Sequence, residues 1–176
     1  MDAPIEVHPG IFLVENFLSQ EERDAIINLC EPITDEEWDK RLRSAFGIDD
    51  LPFAAELKDR LYDIFDENEY VIRSFNKIQR REPGDVTDIA PHYARKYEDE
   101  RCVFSATVII NDNYEGGELN FVEQNFTVKP PAGSLLYFPA TEDYGHKINY
   151  ITTDVHRYAI GEQVYVVEPD QPPRER

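Results

Sequence analysis

Cysteine and long apolar runs are both scarce in this sequence of 176 residues. The two cysteines, Cys30 and Cys102, lie far apart and lack the close spacing of a zinc-binding pair. We therefore predict free thiols in a reducing compartment, not a disulfide framework. No apolar run reaches bilayer-spanning length, and the N-terminal stretch MDAPIEVHPG lacks the basic and apolar regions of a secretion signal. These absences predict a soluble, cytoplasmic protein.

Positive charge is also scarce, because 18 basic residues stand against 36 acidic ones and give a formal net charge of -18. Such a surface repels phosphate backbones and anionic lipid, which argues against nucleic-acid and membrane partners. The alternative interpretation is that the acidity serves only solubility. The length predicts one domain over residues 1–168, and the proline-rich, charged end of the chain predicts a disordered tail over residues 169–176.

Helical patterns occur only in the first half of the chain. Ser19 and Glu22 form a capping-box pattern followed by apolar residues at helical spacing, which predicts a helix to about Cys30. A second amphipathic stripe predicts a helix over residues 52–68. The polar segment between them, residues 31–50, has weak periodicity and is predicted to be a loop.

From Tyr70 onwards the pattern becomes strand-like. Short β-rich stretches are separated by Gly, Pro, Asn and Asp turns: YVIRSFNKIQR, RCVFSATVII, NDNYEGGELNF, SLLYF, GHKINYIT and HRYAIGEQVYVV. Several short strands after an N-terminal helical pair are typical of a sandwich or jelly roll. We therefore expect a mostly β fold of the α+β kind, with flanking N-terminal helices.

Two of the four histidines are candidates for a metal site. His8 and His156 are assigned no role, whereas His92 and His146 each lie at a strand edge beside turn residues. A single histidine in such a place is more often structural than a ligand. Two histidines and one carboxylate, however, bind iron(II) on one face and leave other positions open. Arg157 follows in a strand-like segment, where its planar guanidinium suits a carboxylate, although an ordinary surface arginine is the simpler interpretation.

A series of longer motifs occurs along the chain in a specific order: FLSQEERDAIINLC, EPGD ahead of PH, RCVFSATVIIND, YEGGELNF, VKPPAGSLLYFP, GHKI and HRYAI. From about residue 10 to residue 167 the sequence thereby resembles the prolyl-hydroxylase branch of the iron(II)/2-oxoglutarate-dependent dioxygenases. The resemblance implies a double-stranded β-helix, a cupin-like jelly roll, with N-terminal flanking helices.

The resemblance also implies a function and a site. His92 and His146 would bind iron(II), and Arg157 would hold the far carboxylate of 2-oxoglutarate. The reaction would use O2, convert 2-oxoglutarate to succinate by oxidative decarboxylation, and hydroxylate a prolyl or other side chain of a peptide or protein. A peptide or small-molecule substrate is the partner that this resemblance implies.

Three departures from the family pattern bear on the reaction. The family has His-x-Asp where this chain has His92-Tyr93-Ala94, and a methyl group cannot bind a metal. The residue before PGD, often a tyrosine that lines the keto-acid pocket, is Glu82. The usual Thr-x-Trp after the arginine is replaced by Gly161-Glu162-Gln163.

The alanine at the ligand position leaves three interpretations open. In a working hydroxylase, a nearby carboxylate completes the site, or Ala94 is an introduced residue in place of an aspartate. In a halogenase, chloride occupies the vacated position, as in relatives with His-x-Ala or His-x-Gly. In a non-catalytic binding protein, the fold remains and the iron is lost. The nearby carboxylates are those of Asp88, Glu98 and Asp99.

Four aromatic residues fall on segments predicted to be loops, where they could close over a substrate or simply pack. They are Trp38, Tyr97, Tyr114 and Tyr144.

Overall fold

The protein is described by a computed structural model over residues 1–40, 51–82, 93 and 100–167. Three helices lie in its first half: α1 (Gln20–Cys30), α2 (Asp35–Lys40) and α3 (Ala54–Ile64). Nine strands lie within the described residues: β1 (Ile5–His8), β2 (Ile11–Val14), β3 (Tyr70–Arg81), β4 (Cys102–Ile109), β5 (Leu119–Phe121), β6 (Phe126–Val128), β7 (Leu135–Pro139), β8 (His146–Ile148) and β9 (Arg157–Val166). The tail predicted over residues 169–176 lies outside the described residues.

The strands form two antiparallel sheets. The larger sheet has the order β1-β2-β7-β4-β9-β3, and the smaller sheet has the order β6-β5-β8. Strands far apart in the chain are neighbours here, because β7 lies between β2 and β4 and β9 lies between β4 and β3. This arrangement confirms the predicted jelly roll.

The larger sheet packs a different core on each face. On one face, residues such as Val108, Leu135 and Ile160 pack against the three helices. On the other face, Leu136 and Phe138 pack against β5 of the smaller sheet. Successive side chains of a strand point to opposite faces, so the next residue along a strand belongs to the other core. This alternation decides which side chains reach the space between the sheets.

The first helix begins where the sequence predicts. The Ser19 side chain accepts a hydrogen bond from the Glu22 backbone N–H, and the Glu22 carboxylate accepts one from the Ser19 N–H. Two of the N–H groups that a helix N-terminus leaves without partners are thereby satisfied. The helix ends at Cys30, as expected.

The loop predicted for residues 31–50 is wrong at α2. The Thr34 hydroxyl lies 3.4 Å from the Glu37 backbone N–H, and the Glu37 carboxylate accepts from the Thr34 N–H at 3.0 Å. This is a second capping-box pattern, Thr-x-x-Glu, and it was present in the sequence. The helix is short and polar, so its periodicity is weak, and Trp38 is the buried one among its described side chains.

Two smaller expectations can be assessed directly. Cys30 and Cys102 are free thiols and both are buried, which confirms that they form no disulfide. Among the described residues, each helix is too short or too polar to cross a bilayer.

Candidate functional site

The predicted anchor Arg157 begins β9, the strand between β4 and β3. Tyr158 and Ile160 lie one and three positions further along the strand, so their side chains point to the opposite face, and they belong to the core beneath the helices. Arg157 therefore faces the space between the two sheets. Its side chain is 1% exposed, so the guanidinium lies in the protein interior.

The described surroundings of Arg157 contain a tyrosine and a glycine. A Cβ placed on Gly117 would lie 2.7 Å from the Tyr114 ring and 3.4 Å from Cδ of Arg157, so both side chains pack over this glycine. Burial raises the pKa of the Tyr114 hydroxyl, and the adjacent Arg157 opposes that rise through its charge and a hydrogen bond. The sequence identifies Tyr114 only as a loop aromatic, yet its side chain is 3% exposed.

Arg157 meets no carboxylate partner within the part of the chain that the structure describes. Its Nε is also without a hydrogen-bond partner there. Burying a guanidinium is costly, and no carboxylate of the described residues offsets this desolvation. Arg157 is therefore a candidate anion-binding residue.

The second predicted residue, His146, begins β8 in the smaller sheet. Its ring packs against Phe121 and Phe138, with centroid distances of 5.5 Å and 4.8 Å, so it too faces the space between the sheets. Nδ1 lies 3.2 Å from the carbonyl oxygen of Tyr144. A carbonyl can only accept, so this contact requires the proton on Nδ1 and puts the lone pair of the neutral ring on Nε2.

The chemistry of His146 fits a metal ligand. A ligating histidine usually donates its other N–H to a carbonyl or carboxylate, which fixes the tautomer and the ring orientation. The contact with the Tyr144 carbonyl has this character. His92 and the position of Ala94 lie outside the described residues, as do Asp88, Glu98 and Asp99, so the rest of the predicted metal site stays a prediction.

A different group of possible ligands lies on the opposite face of the larger sheet. Atoms of Asp35, Glu82 and His156 lie within 4.8 Å of one another. Arg80 is among them, because its guanidinium is paired with Glu82 and lies 2.7 Å from Asp35. Its cationic group also lies 4.9 Å from the Trp38 ring centroid. Both carboxylates are thus already paired with the Arg80 guanidinium, which makes this group an ion-pair network that attaches α2 to the sheet.

The remaining aromatic candidates have packing roles where they can be assessed. Trp38 is 1% exposed in the core beneath the helices. Tyr144 lies in a short 3-10 turn and donates to the Pro9 carbonyl at 3.2 Å. Tyr97 lies outside the described residues.

Comparison with known proteins gives evidence on the fold alone. No family model matches the sequence, and no curated protein matches it. The viral collagen prolyl hydroxylase of Paramecium Bursaria Chlorella virus-1, solved as a 2OG complex, has a TM-score of 0.62 at 15% identity, over 90% of this chain and 97% of that one.

Cellular prolyl hydroxylases give similar values. A prolyl-4-hydroxylase of Pseudomonas putida has a TM-score of 0.63 at 17% identity, over 90% of this chain and 94% of that one. A prolyl 4-hydroxylase of Phytophthora capsici has a TM-score of 0.58 at 15% identity, over 93% of this chain and 61% of that one. The chain therefore has the fold of the 2-oxoglutarate oxygenases, as its motifs predict.

Proposed function

We propose that this chain is an iron(II)/2-oxoglutarate-dependent oxygenase that hydroxylates a prolyl or other side chain of a peptide or protein. The observation that carries the proposal is Arg157, a guanidinium that is 1% exposed and faces the space between the sheets. It has no carboxylate partner among the described residues. An anionic ligand at this place would offset the cost of burying the charge.

2-Oxoglutarate has the chemistry that such a place requires. Its far carboxylate matches the planar fork of a guanidinium, which donates two parallel charge-assisted hydrogen bonds. The proposal is supported by the viral neighbour, which was solved as a 2OG complex on the same fold. It is also supported by the order of motifs along the chain, which places Arg157 after GHKI in the segment HRYAI.

His146 and His92 are the residues that would hold the metal. When bound there, iron(II) would activate oxygen and couple the decarboxylation of 2-oxoglutarate to succinate with oxidation of the substrate. The chain's own residues have simpler tasks. The Tyr144 carbonyl holds the His146 ring in one tautomer, and the rings of Phe121 and Phe138 beside it exclude water.

Binding is the first test, because it depends on fewer groups than turnover. Titration of the anaerobic protein with 2-oxoglutarate in the presence of iron(II), followed by calorimetry, should give saturable binding. Arg157→Gln should abolish it, since the amide keeps the approximate size and removes the charge. Arg60→Gln is the control: Arg60 is paired with Glu22 between α1 and α3 and lies over the Phe17 ring in the core beneath the helices, so its loss should leave the affinity unchanged.

Turnover separates the three interpretations of Ala94. Succinate formed from iron(II), 2-oxoglutarate and oxygen without added halide supports the hydroxylase. Succinate formation that depends on added chloride instead supports a halogenase with chloride at the vacated position. Binding of 2-oxoglutarate with no succinate under either condition supports a non-catalytic binding protein, and unchanged binding in Arg157→Gln removes Arg157 from the site.

A further inference from the structure

Asn111 has an unusual relation to the backbone on either side of Arg157. Its side-chain oxygen accepts from the Tyr158 backbone N–H at 2.8 Å, and its side-chain nitrogen donates to the His156 carbonyl at 2.8 Å. The amide of Asn111 therefore bonds the residue before Arg157 and the residue after it. Asn111 is 7% exposed, so water competes little for these two bonds.

The Asn111 amide continues the hydrogen bonding between β4 and β9 beyond the last residue of β4. Strand β4 ends at Ile109, and the Ile110 N–H still donates to the Tyr158 carbonyl at 3.1 Å. The side-chain amide of Asn111 then presents one donor and one acceptor, as the backbone of a further strand residue would. The start of β9 is held in place although the neighbouring strand has turned away.

The same loop also contacts the side chain of Arg157. Tyr114 packs with Arg157 over Gly117, which has a positive φ of 69° and no Cβ to separate them. The Nζ of Lys129 lies 4.5 Å from the Tyr114 ring centroid and donates to the Tyr114 carbonyl. The turn at Gly117 and the Lys129 cation thus hold the Tyr114 ring in contact with the Arg157 side chain.

We infer that the loop Asn111–Gly117 is a positioning element for Arg157, with Asn111 fixing its backbone and Tyr114 fixing its side chain. The inference rests on the proposed function and adds to it. The position of the Arg157 guanidinium would set the distance between bound iron(II) and the far carboxylate of a 2-oxo diacid. The loop therefore selects the chain length of the 2-oxo diacid, favouring 2-oxoglutarate over the longer 2-oxoadipate.

Two variants with matched controls test this inference. Asn111→Ala removes both backbone bonds, and its control Asn149→Ala removes one partly buried amide bond, to the Glu118 side chain at 3.1 Å, that does not involve the backbone of β9. Tyr114→Phe removes only the hydroxyl. Its control is Tyr165→Phe, because both tyrosines are 3% exposed and Tyr165 lies near the other end of β9.

The measurements are affinities for 2-oxoglutarate and for 2-oxoadipate, by calorimetry in the presence of iron(II) without oxygen. We expect each test variant to weaken 2-oxoglutarate binding about tenfold, as is common when a group that orients a ligand-binding residue is lost. The preference for 2-oxoglutarate over 2-oxoadipate should narrow. A purely structural role would lower the melting temperature without narrowing that preference, and the controls should retain both affinities.

A second readout requires no ligand. Hydrogen exchange of the Arg157 Nε–H, followed by NMR in the ligand-free protein, should be faster in Tyr114→Phe than in Tyr165→Phe. Equal exchange together with an unchanged preference between the two diacids overturns the inference and leaves the proposed function intact. If the unaltered protein binds no 2-oxoglutarate, the proposed function fails and the length selection fails with it.

Discussion

Two buried arginines lie on opposite faces of the larger sheet and are in opposite states. Arg80 is paired with Glu82 and Asp35 and stacks on Trp38. Arg157 is more deeply buried and has no carboxylate partner among the described residues. Removing the charge of Arg80 breaks a satisfied ion-pair network, whereas no described carboxylate would lose a partner if the charge of Arg157 were removed. At the residue scale, this contrast distinguishes a structural arginine from a candidate ligand-binding arginine.

Gly117 is a second residue whose importance depends on its surroundings. Gly117→Ala should lower the unfolding free energy by about 2–3 kcal/mol, because alanine is strained at positive φ and its Cβ would meet the Tyr114 ring. We expect weaker 2-oxoglutarate binding as well, since the displaced ring lies against Arg157. Urea unfolding and calorimetric titration measure the two effects.

Gly133→Ala provides the control for this prediction. Gly133 has a φ of 82°, and a Cβ there would lie 2.7 Å from the Leu18 carbonyl oxygen. The stability loss should be similar while 2-oxoglutarate affinity is retained. Equal loss of affinity in both variants would show that destabilisation alone weakens binding.

The two thiols should be inert in the folded protein. Burial raises the pKa of Cys30 to about 12, so almost none of it is thiolate at pH 8. Cys102 is also buried, and its thiol lies 3.8 Å from the Phe104 carbonyl. Ellman's reagent at pH 8 should therefore detect no thiol in the native protein and two after unfolding in guanidinium chloride. Rapid reaction of one native thiol would contradict this prediction.

At the scale of elements, Glu22 joins two helices. It completes the capping box of α1, and its carboxylate is paired with Arg60 of α3. The hydrogen bond from Arg60 is the largest of the effects that hold the pKa of Glu22 below its ordinary value of 4.5. A carboxyl group with a lowered folded-state pKa stabilises the fold above its unfolded pKa, and this contribution is lost as pH falls through the folded value.

Glu22→Gln should therefore be most destabilising at neutral pH. We expect a loss of about 1–2 kcal/mol in unfolding free energy at pH 7, because a charge-assisted bond and part of a cap are weakened. The difference from the unaltered protein should shrink as pH falls below 4.5. Urea unfolding across this range measures it, and a double-mutant cycle with Arg60→Met assigns the part due to the pair.

Helix α2 was predicted to be a loop because its sequence lacks a helical repeat of apolar residues. Its only buried side chain whose position is described, Trp38, packs beside Tyr158 and under Arg80. One anchor cannot generate a repeating pattern, so the surrounding polar residues suggested a loop. The Thr34–Glu37 capping box was the local signal that could have identified this helix.

For the whole molecule, the net charge of -18 acts against compactness. Like charges repel one another more in the folded state, and salt screens that repulsion. We expect the melting temperature to rise by several degrees between about 10 mM and about 0.5 M sodium chloride at pH 7.5. The rise should be smaller nearer the isoelectric point of about 4.5. A melting temperature that falls with salt at pH 7.5 would mean that attractive ion pairs dominate.

Much of the fold was predictable from local patterns. The capping box located the start of α1, and the β-rich stretches located β3, β4, β7 and β9 to within a few residues. Asn111 and Tyr114 were not recognised as parts of the candidate site. Asn111 lies in an Asn-Asp stretch that is typical of turns, and nothing near it in sequence indicates that its amide bonds the backbone around Arg157.

The sequence by itself predicted the start of α1, the strands β3, β4, β7 and β9 and the free thiols, since caps, strand periodicity and cysteine spacing are local. The resemblance of its motifs added Arg157 as the candidate anion anchor. Only the tertiary structure decided that Arg80 is paired with carboxylates while Arg157 has none among the described residues. It also decided that Tyr114 contacts Arg157 and that Asn111 bonds the backbone on either side of it. The reason is physical. Whether a side chain is buried or paired depends on which distant strands become its neighbours, and pairing β9 with β3 and β4 brings together residues that are far apart in the chain.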